Sequence, residues 1–120
     1  MKMVITAQKE HLDARVDTRF GRAAYFILYD SENGEFTAHS NQQNVNAAQG
    51  AGIQAAQNVA RLGPELIITG HVGPKAYATL SAARIKIYTG ATGTVKESIE
   101  MLKDGKLSQT DRADVNGHWV

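Results

Sequence analysis

The sequence predicts an α/β protein, a mixed β-sheet sandwiched between helices. Three observations carry this. Tyr25-Phe26-Ile27-Leu28-Tyr29 is followed by Asn33-Gly34 and a second extendable run, the pattern of a β-hairpin. From Ile53 onward, stretches with helical spacing of apolar residues alternate with short apolar runs, which implies parallel strands joined by crossover helices. Glycines stand in pairs where the chain enters each helix: Gly50 and Gly52, Gly70 and Gly73, Gly90 and Gly93.

The elements follow in order. Met3 to Thr6 is a short buried strand, and residues 8 to 24 form a polar, irregular loop holding Arg15, Arg19 and Arg22. The aromatic and β-branched run 25–29 is the clearest strand in the chain. Asn33-Gly34 supplies the positive φ angles of a tight turn, and Glu35 to Ser40 returns beside it. Residues 41 to 52, rich in amides, alanine and glycine, read as a mobile loop longer than a connection needs. Next comes a helix from Ile53, with Ile53, Ala56, Val59 and Ala60 on its inner face. Gly63-Pro64 ends it, since proline cannot continue a helix. Glu65 to Thr69 is a strand, and Pro74 suits the first turn of a helix that turns Tyr77 and Leu80 inward. Ile85 to Tyr88 is the fifth strand. Thr94-Val95-Lys96-Glu97 has the form of a capping box and opens a helix with Val95, Ile99 and Leu102 inward, ending at Gly105. The order is β-β-β-α-β-α-β-α, a three-layer sandwich with a mixed five-stranded sheet, and it suits a ribonuclease-H-like arrangement.

Length and composition bound the function. The 120 residues suffice for one domain, spanning 1–120, and are too few for two ordinary ones. A net charge of +1 gives no global field to recruit nucleic acid or an anionic membrane, so any anion site must be local. With no cysteine there is no disulfide, no thiolate metal site and no thiol nucleophile. The first residues are too short an apolar stretch for a signal peptide, and no run approaches the ~18 residues of a membrane span. The expectation is a soluble, cytoplasmic protein.

A ribonuclease-H-like order raises the question of nuclease chemistry, which needs carboxylates converging on the first strand to hold two divalent cations. Met3-Val4-Ile5-Thr6 has none, and Asp13, Asp17 and Asp30 fall in loops or at strand ends. His11, His39, His71 and His118 share no metal-ligand spacing, so neither a metal centre nor a catalytic set is expected. What remains are the glycine-linked helix starts. Free N–H groups and the helix dipole make such a start suited to anions, and ligands of open α/β sheets lie where the parallel strands end. Lys75, Arg19 and Arg22 add positive charge there.

Four segments in register resemble one family. Phe20-Gly21-Arg22-Ala23 precedes Tyr25-Phe26; then come Gly50 to Gln57, Gly70-His71-Val72-Gly73-Pro74-Lys75-Ala76, and Gly90 to Val95. In this order and spacing they resemble the dinitrogenase iron–molybdenum cofactor biosynthesis family, small carriers related to nitrogenase accessory proteins, from Met3 to about Leu107. The ending Gly117-His118-Trp119 is similar to a subgroup that carries a molybdenum–copper sulfide cluster. The resemblance implies a ribonuclease-H-like fold and a non-enzymatic role: binding, storing or transferring an anionic metal–sulfide cluster of molybdenum–copper or iron–molybdenum type. Without cysteine the cluster would be held non-covalently or through a histidine nitrogen, and an apo form would exist. The residues implied are Arg19, Phe20, Gly21, Arg22, Gly50, Gly52, Gly70, His71, Gly73 and Lys75, with the 41–52 loop closing over them. Partners would be a cofactor-assembly or cell-division protein. Two other functions fit the same residues: a binder of a phosphorylated metabolite, and a protein-interaction module without a ligand.

Overall fold

The computed structural model describes residues 1–46 and 50–113. Its elements are β1 (Lys2–Ala7), β2 (Tyr25–Asp30), β3 (Phe36–Ser40), α1 (Gln42–Val45), α2 (Ala51–Leu62), β4 (Leu66–Ile68), α3 (Pro74–Ala82), β5 (Lys86–Thr89), α4 (Val95–Lys103) and β6 (Ser108–Gln109). They form a mixed sheet in the order β3-β2-β1-β4-β5-β6. β1, β4 and β5 are parallel; β2 lies antiparallel between β1 and β3, and β6 is antiparallel to β5.

Alternation along the strands divides the core in two. Val4, Phe26, Ile67 and Ile87 pack under α2 and α3 with Ala55, Ala56, Val59, Ala76 and Leu80. Met3, Ile5, Ile27, Leu66 and Ile68 pack under α4 with Val95 and Ile99. Helices therefore cover both faces, because successive residues of a strand point to opposite sides.

The structure corrects several expectations. The sheet has six strands, not five. Buried Leu107 anchors the chain after α4, and Ser108–Gln109 then pairs with β5, closed by the Thr110 N–H to the Ile87 carbonyl at 2.8 Å. Two polar residues carry no periodicity, so this strand has no signature in the sequence. The hairpin is present, but its connection is the five residues 31–35, with only Gly34 at positive φ (76°). In the segment 41–52, Asn41 and Asn44 are buried and α1 forms one helical turn, while α2 begins at Ala51 rather than Ile53. Residues 47–49 of that expected loop, and the Gly117-His118-Trp119 ending, lie outside the described residues. The inner face of α2 is turned so that Ala55 is buried and Ile53 only half-buried. The capping box of α4 forms as expected, with Thr94 and Glu97 bonded reciprocally.

Candidate functional site

Because β1, β3, β4 and β5 run the same way, their carboxyl ends share one edge of the sheet. The 8–24 loop leaves from that edge and returns to it at Tyr25, which pairs with Ala7 and Ser40. The starts of α1, α3 and α4 follow the ends of β3, β4 and β5 on the same side. Topology alone thus gathers the glycine segments and the loop arginines.

The central feature is a backbone strap between two loops. The His71 N–H donates to the Thr18 carbonyl at 2.8 Å, and the Phe20 N–H donates to the His71 carbonyl at 3.2 Å, pairing Arg19 with His71 in parallel. Gly70 makes this approach possible. A Cβ there would lie 2.6 Å from the Thr18 carbonyl oxygen and 2.7 Å from its Cα. Below the strap, the Thr6 hydroxyl donates to the Asp17 carbonyl at 2.6 Å and lies 2.9 Å from the Thr69 hydroxyl, all three residues being buried. Gly70 is also tied to the next loop, its carbonyl accepting from the Gly90 N–H at 3.0 Å.

Around the strap each expected residue has a definite place. Phe20 is fully buried in the core beside Phe26, so its ring faces the interior and its backbone serves the strap. Gly21 and Arg22 occupy the middle of a turn closed by the Ala23 N–H to the Phe20 carbonyl at 3.3 Å. Arg22 is half-buried and donates from Nη1 to the Val45 carbonyl at the end of α1, at 3.3 Å. Arg19 lies 4.0 Å from the Asp17 carboxylate through Nε, a long pair on a partly exposed side chain, worth on the order of 0–1 kcal/mol. Gly50 caps α2 with φ 80°, Gly52 is buried in its first turn, and Gly73 caps α3 in an extended conformation. Lys75 is exposed on the first turn of α3, and His71 is half-buried. The structure links Arg19, Phe20, Gly70 and His71 directly. Gly50, Gly52, Gly73 and Lys75 share the edge but make no hydrogen bond to the strap among the described residues.

The three glycine-linked helix starts are not equivalent, which corrects the reading of each as an anion site. At α4 the Val95 and Lys96 N–H groups donate to the Ala14 and Leu12 carbonyls (2.8 and 2.9 Å), and the Glu97 N–H to the Thr94 hydroxyl (3.1 Å). That end is closed. Neither α2 nor α3 has a side-chain cap among the described residues, though Ala51 and Gly52 at the start of α2 are buried, whereas Pro74 and Lys75 at the start of α3 are exposed. The concavities at the hairpin and beside α4 mix lysines with acids, Lys2 with Asp30 and Glu35, Lys96 and Lys106 with Glu97 and Glu100. An anion gains little there.

Reasoning from the sequence missed the residues that hold the site together. Asp17 accepts the N–H groups of Arg19 (3.2 Å) and Ala24 (3.3 Å), spanning its loop. An aspartate bonding the backbone two residues on is a recognised turn device, so Asp17-Thr18-Arg19 was a usable signal. Asn41 and Asn44 gave none, lying in a stretch of amides that looked uniformly polar.

Residues 1–105 match the family described as dinitrogenase iron–molybdenum cofactor. An uncharacterized protein of Methanocaldococcus jannaschii is 32% identical over 97 residues, 79% of this chain and 82% of its own length. The apo form of the orange protein from Desulfovibrio gigas superposes with a TM-score of 0.91 at 35% identity, covering 95% of this chain and 96% of that one. A NifB-like protein of Thermotoga, solved by NMR, gives 0.80 at 34% identity, covering 95% and 98%. The chain belongs to the dinitrogenase iron–molybdenum cofactor family.

Proposed function

We propose that this member of the dinitrogenase iron–molybdenum cofactor family binds an anionic metal–sulfide cluster non-covalently, as cargo to be stored or passed on. The observation that carries this is the strap: it fixes Arg19 beside Gly70–His71, on the edge where α2 and α3 present uncapped ends with Arg22 and Lys75 nearby. The donor set suits such a cargo better than a bare metal ion. The chain has no cysteine, and the described residues contain no group of three histidine or acidic side chains placed to hold a metal. A cluster that brings its own sulfide ligands needs only hydrogen-bond donors, cations and a partly apolar wall. The family's description names the iron–molybdenum cofactor, and the orange protein was solved as an apo form, which favours a ligand-binding reading for this chain. We read the cargo as a molybdenum-containing cluster of molybdenum–copper or iron–molybdenum type, and the protein as a carrier serving a cofactor-assembly partner rather than a catalyst. We also read the strand order 3-2-1-4-5 as the ribonuclease-H-like arrangement.

Tetrathiomolybdate with copper is the probe. Added to the protein, it is expected to co-elute as a coloured complex and to shift the backbone resonances of residues 18–22 and 70–75 first. Shifts confined to the opposite edge of the sheet would overturn the reading. Displacement by millimolar inorganic phosphate would favour the phosphorylated-metabolite binder, which uses the same helix ends.

A further inference from the structure

The sheet has two edges, and they are finished differently. At one, β6 is two residues long and is flanked by the charged side chains of Lys106, Asp111 and Arg112. Short strands and charge are the usual means of keeping a sheet edge from pairing with another chain. At the other, β3 runs for five residues, Phe36-Thr37-Ala38-His39-Ser40, with no lysine, acid or proline. Its register with β2 is continuous from Phe36 to Ser40, so no bulge turns the edge aside. Four of the five residues are exposed. Phe36, 38% exposed, and Met1 are the large apolar side chains open to solvent among the described residues.

Hydrogen bonds at the two ends of the β2–β3 ladder fix which backbone groups are left over. The Glu35 carbonyl accepts from the Asp30 N–H at 2.9 Å, and the Asn41 N–H donates to the Ala24 carbonyl, also at 2.9 Å. Bonded and non-bonded pairs alternate along an antiparallel ladder. Thr37 and His39 therefore turn their N–H and C=O groups towards β2, whereas Phe36, Ala38 and Ser40 turn theirs outward. Among the described residues none of these outward groups bonds to another element. An antiparallel copy of β3 centred on Ala38 matches them all. Ala38 then lies opposite itself and Phe36 opposite the partner's Ser40, and each of the three pairs exchanges two bonds. A shift of one residue sets outward groups against inward ones, and a shift of two leaves out a pair. No like charges meet in the matched register, where Glu35 falls opposite the partner's Asn41. A charged extended peptide finds no counter-charge on β3 to select it, whereas a second copy fits in length, register and neutrality.

We propose that β3 is a homodimer interface: two copies pair antiparallel through Phe36–Ser40 about a two-fold axis at Ala38, joining their six-stranded sheets into one. The proposal is independent of what the protein binds. With five residues a side and about 17 Å of strand, the interface is small, and weak association is expected.

The test is sedimentation equilibrium of the whole chain from about 10 µM to about 1 mM, the range in which so small an interface dissociates. A monomer–dimer equilibrium is expected. Ala38→Pro removes the central N–H donor of each copy and leaves the β2 ladder intact, while Ala38→Lys sets two like charges against each other. Each should weaken dimerisation at least about tenfold. Ala38→Lys alters an exposed residue and covers the case in which the proline variant fails to fold. Register is tested by cross-linking, which the absence of cysteine makes unambiguous. Opposed residues of a bonded pair have Cα atoms about 5.5 Å apart, within disulfide reach, so Ala38→Cys should cross-link in oxidised glutathione. In Thr37→Cys the two thiols lie on a diagonal of about 7–8 Å, and cross-linking should be far slower. A chain that stays monomeric to about 1 mM would overturn the proposal. So would a dimer that neither Ala38 variant weakens, or equal cross-linking at the two positions. Were the occupant an extended segment of another protein, the chain alone would remain monomeric, and self-pairing would fail on that result.

Discussion

Gly70→Ala tests the strap directly. The backbone of Gly70 lies outside the left-handed region, so alanine can adopt its conformation; the cost is purely steric. The new methyl would sit 2.6 Å from the Thr18 carbonyl oxygen, 2.7 Å from its Cα and 2.8 Å from its Cβ. Reaching ordinary contact at 3.4 Å requires a separation of roughly 0.8 Å, and the obstructing atoms are mostly backbone, which cannot swing aside. The same Thr18 carbonyl accepts the His71 N–H at 2.8 Å, so its retreat lengthens that bond and the companion from Phe20 to His71. Overpacking contributes about 1–3 kcal/mol and each of the two weakened bonds about 0.5–1.5, for a total of about 2–6 kcal/mol. At roughly 4 °C per kcal/mol for a domain of this size, the melting temperature should fall by about 8–24 °C. Gly50→Ala is the contrast: a Cβ there meets nothing within 4 Å, but φ is 80°, so its cost is conformational and about 1–2 kcal/mol. Thermal denaturation with amide exchange decides between them. In Gly70→Ala the His71 and Phe20 amides should lose protection first; Gly50→Ala should leave them protected. If Gly70→Ala costs no more than Gly50→Ala and the His71 amide stays protected, the steric argument is wrong.

Charge reversal at Arg22 or Lys75 (Arg22→Glu, Lys75→Glu) should weaken tetrathiomolybdate–copper binding by about 1–3 kcal/mol each, measured by titration of the visible absorbance. His71→Ala is expected to cause only a small loss, and a large one would replace non-covalent capture with nitrogen coordination. Glu97, bonded first by the Thr94 backbone N–H and then by its hydroxyl, should titrate below an ordinary glutamate in an NMR pH series. A depressed carboxyl stabilises α4 above the unfolded-state value and ceases to do so as pH falls through the folded one. Thr94→Val should raise the Glu97 value part of the way, since the backbone bond remains; an ordinary value in the wild type would refute the cap's electrostatic role. With no carboxylate on β1, magnesium or manganese should support no nucleic-acid cleavage, and ion-dependent cleavage in a gel assay would reopen the nuclease reading.

How much of this was legible in the sequence depended on whether a residue's role is local. The capping box is written in four consecutive residues, and Thr94 and Glu97 behave as read. The aromatic run 25–29, the Gly63-Pro64 stop and Pro74 at the start of α3 are likewise short-range signals. β6 is held by pairing with β5 and by the burial of Leu107, neither visible in Ser108-Gln109 itself. Asn41 looked like a member of a polar stretch because its partners, Gly21 and Ala23, lie eighteen and more residues away. Gly70 reads in the sequence as a glycine at a helix start and a site residue, but the structural reason for glycine there, the closeness of Thr18, is a long-range contact.

The same distinction separates the three loop arginines, which the sequence left equivalent. Arg15 pairs in antiparallel fashion with Thr94, inside the strand of loop that closes the start of α4, and its charge acts on Glu97. Arg19 pairs with His71, and Arg22 reaches the end of α1, both on the side of α2 and α3. A ligand drawn to the uncapped ends of α2 and α3 should therefore feel Arg19 and Arg22 as near charges and Arg15 as a screened, distant one. Arg15→Gln is accordingly expected to leave tetrathiomolybdate–copper binding and its salt dependence unchanged, under conditions where Arg22→Gln weakens both. Equal losses from the two variants would mean that the anion senses only the summed charge of the loop, and the assignment of the site to one side of the sheet edge would have to be given up.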